Sequence, residues 1–350
     1  MYWAKTSSHA PYNLASSDLL HASMDDLGAV RGDLTGPDGY GYGPLVAAIS
    51  RHWDVGEDCV VTSFGTAMAN HLAMAALIGP GDEVLIESPG YELLESTARY
   101  FGADVRNFHR RFEDNFAVDP EEIRSAATSR TKLIVLTNLH NPSGAFTEES
   151  TLAGIGEIAS EAGARVLVDE VYLDAVGDRP RRTAFRSGGP FVVTNSLTKV
   201  YGLSGLRCGW IFAEPGLARR LWRLADLFYS SPVHVAELLS VRAFERIGEL
   251  GRRSRAILAA NGAALNGFFR SRTDIRSMSH AYGLVSFPGL AGGGVDEFCA
   301  ELRASFETSV VPGRFFGMPE HFRIGLGGQP EMFAEGLRRI GLALDRRGKG

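Results

Sequence analysis

The chain has 350 residues, 45% of them hydrophobic and 22% charged, with a formal net charge of −5. That is ordinary globular composition, long enough for two domains, and the mild acidity with no Lys/Arg block argues against a nucleic-acid partner. The three cysteines, Cys59, Cys208 and Cys299, stand far apart and in no CxxC pair, so neither a disulfide framework nor a zinc site is expected.

At the N-terminus, Met1-Tyr2-Trp3-Ala4-Lys5 offers no basic stretch followed by an apolar one, and no signal peptide is read. No apolar run reaches membrane-spanning length. The nine histidines form no HxxxH or HExxH pair, so no metal is expected. The reading is a cytoplasmic protein without a membrane partner.

Short apolar runs then alternate with helical patterns. The spacing predicts strands over residues 59–62, 83–87, 132–137, 165–169, 191–195 and 209–212. They are rich in Val, Ile and Leu and mostly unbroken, as in strands covered on both faces of a parallel sheet. A helix is predicted over 66–78, with Leu72, Ala75 and Ala76 on one face and Gly79-Pro80-Gly81 ending it. Thr147 is a candidate N-cap for a second helix, with Glu148 and Glu149 in the first turn and Leu152, Ile155 and Ile158 behind. After Leu250 the pattern changes to a basic, Ala-rich helix over 252–266 and shorter strands over 284–287 and 322–326.

The expected fold class is α/β: a mostly parallel sheet sandwiched by helices, with a smaller α+β domain built from the N- and C-terminal segments. Residues 1–45 join the small domain, 46–250 form the large one, and 251–350 complete the small one. In such sheets ligands sit beyond the carboxyl ends of the strands.

Ser196-Leu197-Thr198-Lys199 follows the strand at 191–195, and Gly202-Leu203-Ser204-Gly205-Leu206-Arg207 comes after it. A lone lysine is usually a solvated charge. This one follows an apolar strand and precedes a Gly-rich turn with an arginine. A desolvated lysine near other cations sheds its proton more readily and becomes a nucleophile. Ser196 and Arg207 can offer a hydroxyl and a planar fork to a phosphate.

This segment resembles the lysine signature of the class I/II aminotransferases, the fold-type I enzymes that depend on pyridoxal phosphate (PLP). The resemblance implies that Lys199 holds PLP as a Schiff base and that Ser196 and Arg207 bind its phosphate. The other motifs of the family appear in order. Val166-Leu167-Val168-Asp169-Glu170-Val171-Tyr172 would be a strand end with a turn residue if met alone. The resemblance implies that Asp169 faces the pyridine nitrogen and Tyr172 the ring hydroxyl. Asn141-Pro142-Ser143-Gly144 is a turn by composition; the family places the equivalent of Asn141 on the ring hydroxyl, close to the substrate carboxylate. His140 reads as a loop residue.

Gly65 and Thr66 join a strand to a helix, an anion site by backbone geometry alone, and in the family they cradle the phosphate. Tyr91, after Ser88-Pro89-Gly90, matches the aromatic stacked on the ring. Arg323 lies within the apolar run Phe322-Arg323-Ile324, where an arginine is awkward unless paired; the resemblance implies that it grips the substrate α-carboxylate. Asn13-Leu14-Ala15 is read as closing over the same carboxylate, with Ala15 as the contact. Five residues before a glycine near the N-terminus the family supplies a tyrosine to the neighbouring subunit. Here that place holds Gly36, leaving Tyr40 or Tyr42 as candidates. Phe64 and residues 228–232 are read as lining the substrate pocket.

The resemblance implies a PLP-dependent aminotransferase working on an L-amino acid and a 2-oxo acid, as a homodimer. Lys199, Asp169 and Tyr172 would be its catalytic residues. A β- or γ-lyase or a cyclising biosynthetic enzyme would share the same machinery. A PLP-sensing regulator would need a DNA-binding module, and the roughly thirty residues before the first motif are too few for a helix-turn-helix unit.

Overall fold

The computed structural model describes residues 2–36, 39–177, 182–187, 189–279 and 281–347. Among them, seven strands form the central sheet. Their spatial order is Val60–Phe64, Cys208–Phe212, Phe191–Ser196, Arg165–Asp169, Thr131–Thr137, Glu83–Ser88 and Asp104–His109. Every pairing is parallel except the two made by Cys208–Phe212.

The unbroken apolar runs follow from cover on both faces. On one face Val135, Leu167 and Val192 pack with Ala69, Leu72 and Ala73 of the helix Gly65–Leu77 and with Leu217 and Leu221 of the helix Pro215–Tyr229. On the other, Ile134, Leu136, Val166 and Val168 meet Leu152, Ile155, Ile158 and Ala159 of the helix Glu149–Ala162. Side chains alternate between the two clusters with the strand period of two. The strand Asp104–His109 had no signal in the sequence. It lies at the sheet edge, exposes most of its residues, and reads Asp-Val-Arg-Asn-Phe-His.

Thr147 does not cap the helix predicted behind it. The helix begins at Glu149, its N-cap is Glu148, and no side chain caps it. The Thr147 hydroxyl instead accepts from Arg110 Nη2 at 3.3 Å, a bond that places it beneath the sheet's carboxyl edge.

The N-terminal segment returns to the C-terminal elements. Tyr12–Asn13 pairs in parallel with Thr308–Ser309, and Gly325 N donates to Leu14 O at 2.7 Å. The strand Phe322–Gly325 lies between Val285–Ser286 and Val311–Pro312, antiparallel to both. The helix predicted over 252–266 is the middle of a 24-residue helix, Ile247–Arg270. The expected domain boundary at 250/251 falls inside that helix. Among the described residues no helix is long and apolar enough to cross a membrane.

Candidate active site

A cavity of about 750 Å³ opens at the carboxyl edge of the sheet, where the fold class places ligands. Lys199, Asp169, Tyr172, Thr66, Tyr91, Asn141, Ser196, Arg207, Ala15 and Arg323 all line it. Gly65 does not reach the surface of the cavity; it lies directly behind Arg207.

One end is built for an anion. The helix Gly65–Leu77 starts there with no side chain capping its first turn, so backbone N–H groups are left for a ligand. Gly65 has φ +74°, and a Cβ on it would stand 2.6 Å from Arg207 Nη2. Only glycine lets the guanidinium lie this close to the helix start. Thr66 Oγ1 donates to Ser196 Oγ at 2.9 Å, and Arg207 Nη2 donates to Phe64 O at 3.3 Å.

Asp169 ends its strand in the middle of the cavity floor. Asn70 Nδ2 donates to its Oδ2 at 2.8 Å and Val171 N to its Oδ1 at 3.0 Å. Burial pushes the carboxyl up to about 6, against those two bonds and the charge of Lys199. Above it Lys199 Nζ reaches Asp18 Oδ1 at 2.5 Å and Ser17 Oγ at 3.3 Å.

The far end holds Arg323. Its Nη1 donates to Asn141 Oδ1 at 2.9 Å and its Nη2 to Ala15 O at 3.1 Å. Nε is buried with no partner, and the guanidinium carbon stands 5.1 Å from the Phe316 ring centroid. Ala15 N donates to Asn13 Oδ1 at 2.9 Å. Tyr91 starts the helix Glu92–Tyr100, and burial raises its phenol well above the usual value.

Behind the Asn141 turn lies a network that sequence reasoning missed. Arg110 Nη1 donates to Glu87 Oε2 at 2.8 Å, and neither side chain touches solvent. Thr137 Oγ1 donates to Glu87 Oε1 at 2.5 Å and accepts from Asn141 N at 3.0 Å. His140 is no ordinary loop residue. It is fully buried, and burial holds its imidazole neutral. Nε2 donates to Pro89 O at 2.8 Å, and Nδ1 accepts from Ser143 Oγ at 2.7 Å, tying the Tyr91 and Asn141 turns together.

The expected pocket lining is corrected. Phe64 and residues 228–232 do not line the cavity. Phe64 instead packs edge-on against Tyr229, with ring centroids 4.7 Å apart. The walls come instead from Trp3, Lys5 and His9 of the N-terminal segment, with Leu93, Phe315 and Phe316. Tyr40 and Tyr42 are engaged within their own chain: Tyr40 stacks on Trp222 and donates to Asp226 Oδ2 at 2.7 Å, and Tyr42 meets His234 edge-on.

Comparison with known proteins identifies the family and the fold. The family model for aminotransferase class I and II matches residues 13–340. The chain is similar to capreomycidine synthase of Streptomyces vinaceus, with 31% identity over 301 residues, 83% of this chain and 76% of that protein. It is also similar to the solved structure of a PLP-dependent aminotransferase from Streptococcus suis 89-1591, with a TM-score of 0.90 at 26% identity, covering 99% of this chain and 96% of that one. The structure of a PLP-dependent cyclase, OrfR, matches with a TM-score of 0.86 at 26% identity over the same shares, 99% and 96%.

Proposed function

We propose that this chain, which belongs to the aminotransferase class I and II family and is a PLP-dependent enzyme of fold-type I, moves an amino group between an L-amino acid and a 2-oxo acid. One observation carries the reading. An amine (Lys199), a buried carboxyl (Asp169), an anion cradle (Thr66, Ser196, Arg207) and a guanidinium with a free Nε (Arg323) face one cavity.

The cavity fits the cofactor. The uncapped helix start and the Gly65 approach leave donors for a phosphate. Thr198 Oγ1, buried without a partner, lines the same end. The buried Asp169 carboxyl lacks a full counter-charge, and a protonated ring nitrogen would supply it. When bound, PLP supplies an aldehyde that an amine can bond and a ring that takes up the electrons left when Cα loses its proton.

The chain's own residues do the rest. Thr66, Ser196 and Arg207 would hold the phosphate and so fix the ring's position, with Gly65 giving Arg207 room beside the helix start. Asp169 would keep the ring nitrogen protonated, Tyr172 and Asn141 would serve the ring hydroxyl, and Tyr91 would cover the ring. Arg323 grips the substrate α-carboxylate between Asn141 and the Ala15 backbone, and so orients the Cα proton. Lys199 Nζ, once free, takes that proton and later returns one. A second oxo acid then reverses the path, giving ping-pong kinetics.

A second reading, a lyase or cyclising enzyme on the same machinery, is favoured by the likeness to OrfR and to capreomycidine synthase. A single-turnover screen of amino acids tests the choice. Stoichiometric conversion to the 2-oxo acid without free ammonia supports transamination. Continuous release of ammonia, or loss of a side-chain leaving group with the nitrogen retained, overturns it.

We read residues 46–250 as the cofactor-binding domain, with 1–45 and 251–350 forming the small domain. We also read the protein as a cytoplasmic homodimer. Free thiols at Cys59, Cys208 and Cys299 fit a reducing compartment. Exposed apolar residues at the end of the helix Pro215–Tyr229 and at the start of the helix His234–Glu245 fit a partner surface: Leu227 is 79% and Val233 59% exposed.

A further inference from the structure

Asp18 has no part in the roles assigned above, yet its Oδ1 stands 2.5 Å from Lys199 Nζ. The placement is built into the backbone. Leu19 N donates to Lys199 O at 3.0 Å, and Leu20 N donates to Gly327 O at 2.6 Å. A Cβ on Gly327 would stand 2.0 Å from Asp18 O, so glycine lets the two segments run this close. These bonds pin the segment just after Asp18, and Gly325 N, donating to Leu14 O at 2.7 Å, pins it before, so the carboxylate is held against the amine. Arg323 is the other cation whose charge Asp18 meets in this cavity.

An amine is a nucleophile only when neutral. In the ion pair with Asp18 the proton lies on Lys199 Nζ and must leave before the amine bonds the cofactor. We propose that Asp18 is the base that takes this proton, and the acid that returns it when the Lys199 amine is set free. The step balances. One proton passes from Nζ to Asp18 Oδ1, and the nitrogen lone pair forms the C–N bond to the aldehyde carbon. The two hydrogens left on nitrogen depart with the aldehyde oxygen as water. Release runs the other way: water restores the oxygen and both hydrogens, and the carboxyl proton goes back to Nζ.

A purely structural counter-charge predicts the opposite behaviour. It would stabilise the ammonium form, so removing it would speed loading and tighten cofactor binding. A proton carrier works in both directions, so removing it slows loading and release together and leaves the affinity unchanged.

This inference rests on Lys199 being the cofactor lysine, and the test separates the two claims. Borohydride reduction of the loaded wild-type protein, followed by peptide mass mapping, checks Lys199; a cofactor fixed elsewhere sinks the functional reading itself. Apoprotein of wild type, Asp18→Asn and Asp18→Ala is then mixed with PLP, and covalent attachment and release into a trapping protein are followed by absorbance. Both variants should load and release about 10²-fold more slowly, with the ratio of the two rates constant within about threefold. Added formate should restore the loading rate of Asp18→Ala in proportion to its concentration. Unchanged or faster loading, or an affinity change without rescue by formate, would overturn the role of Asp18 alone. Circular dichroism confirms folding, and the isosteric Asp18→Asn carries the rate test if Asp18→Ala does not fold.

Discussion

Asn70 Nδ2 donates to Asp169 Oδ2 at 2.8 Å, while Asn70 Oδ1 accepts from Thr194 Oγ1 at 2.6 Å. The second bond fixes the amide's orientation, so Asn70 presents a donor and not an acceptor to the carboxyl. That donor favours the charged form, which burial opposes; the balance leaves Asp169 at about 6. In Asn70→Ala the favourable contribution is lost and the carboxyl moves further up, by about one unit for a charged hydrogen bond of roughly 1.5 kcal/mol. The acid limb of cofactor binding to the apoprotein should therefore shift to higher pH by that amount. Spectroscopic titration at a series of pH values measures it, and an unmoved limb would remove Asn70 from the site.

The same burial makes Asp169 a liability in the apoprotein. Its carboxyl ordinarily titrates at 3.8 and here at about 6. A raised acid contributes stability that is complete below its unfolded value and lost as pH rises through its folded one. Two units correspond to about 3 kcal/mol. Between about pH 4 and pH 7, apo wild type should lose that much stability relative to apo Asp169→Asn, whose amide does not titrate. Urea unfolding of both apoproteins across this range measures the difference. A constant gap would show that the carboxyl is ionised throughout.

What the sequence made legible, and what it hid, follows from range. The strands covered on both faces announced themselves as apolar runs. The edge strand Asp104–His109 did not, because four of its six residues are exposed and its two apolar ones, Val105 and Phe108, are three positions apart, out of strand period. The site residues were readable from the family motifs that carry them: Asp169 ends its strand, and Lys199 and Asn141 follow theirs within a few positions. Their partners were not. Asn70 lies 99 positions from Asp169, Asp18 lies 181 from Lys199, and His140 lies 51 from Pro89. Nothing local to Asn70 or Asp18 distinguishes them from a helix-face amide or a loop carboxylate. The Arg110–Glu87 pair was hidden for the same reason: Arg110 follows the edge strand that gave no signal, and its partner lies 23 positions away.

That arginine should matter for stability and for substrate binding together. Arg110 and Glu87 are both fully buried, and Glu87 also takes both Thr137 donors. Arg110→Ala leaves a carboxylate without its counter-charge, which costs about 3–5 kcal/mol. Thr137 Oγ1 also holds Asn141 N, so a disturbed Glu87 loosens the turn that carries Asn141. Chemical denaturation should show the stability loss. KM for the amino acid should rise more than kcat falls, since Asn141 braces the carboxylate-binding Arg323. A stability loss with unchanged KM would confine the pair to the fold.

The proposed dimer makes a separate prediction at Leu227, 79% exposed beside the half-exposed Phe228. In a twofold interface each substitution acts twice. Replacing a buried leucine by glutamate removes about 1.5 kcal/mol or more per copy, so roughly 3 kcal/mol and about 10² in dissociation constant. Sedimentation of Leu227→Glu at micromolar concentration should show monomer where wild type shows dimer. If wild type itself sediments as a monomer, the exposed residues have another use.

Arg323→Lys separates charge from geometry at the substrate end. The guanidinium spends Nη1 on Asn141 and Nη2 on the Ala15 carbonyl and still has a buried Nε with no partner. A lysine keeps the charge but offers one nitrogen, which cannot hold Asn141 and Ala15 while binding both oxygens of a carboxylate. Loss of one charged hydrogen bond costs about 1.5–3 kcal/mol, so kcat/KM should fall by about 10- to 150-fold. Cofactor loading should stay near the wild-type rate, because the anion cradle at Thr66, Ser196 and Arg207 lies at the opposite end of the cavity. Steady-state kinetics read the first effect and absorbance on adding PLP the second. A matching loss of cofactor loading would mean that Arg323 supports the whole cavity and does not select the substrate carboxylate.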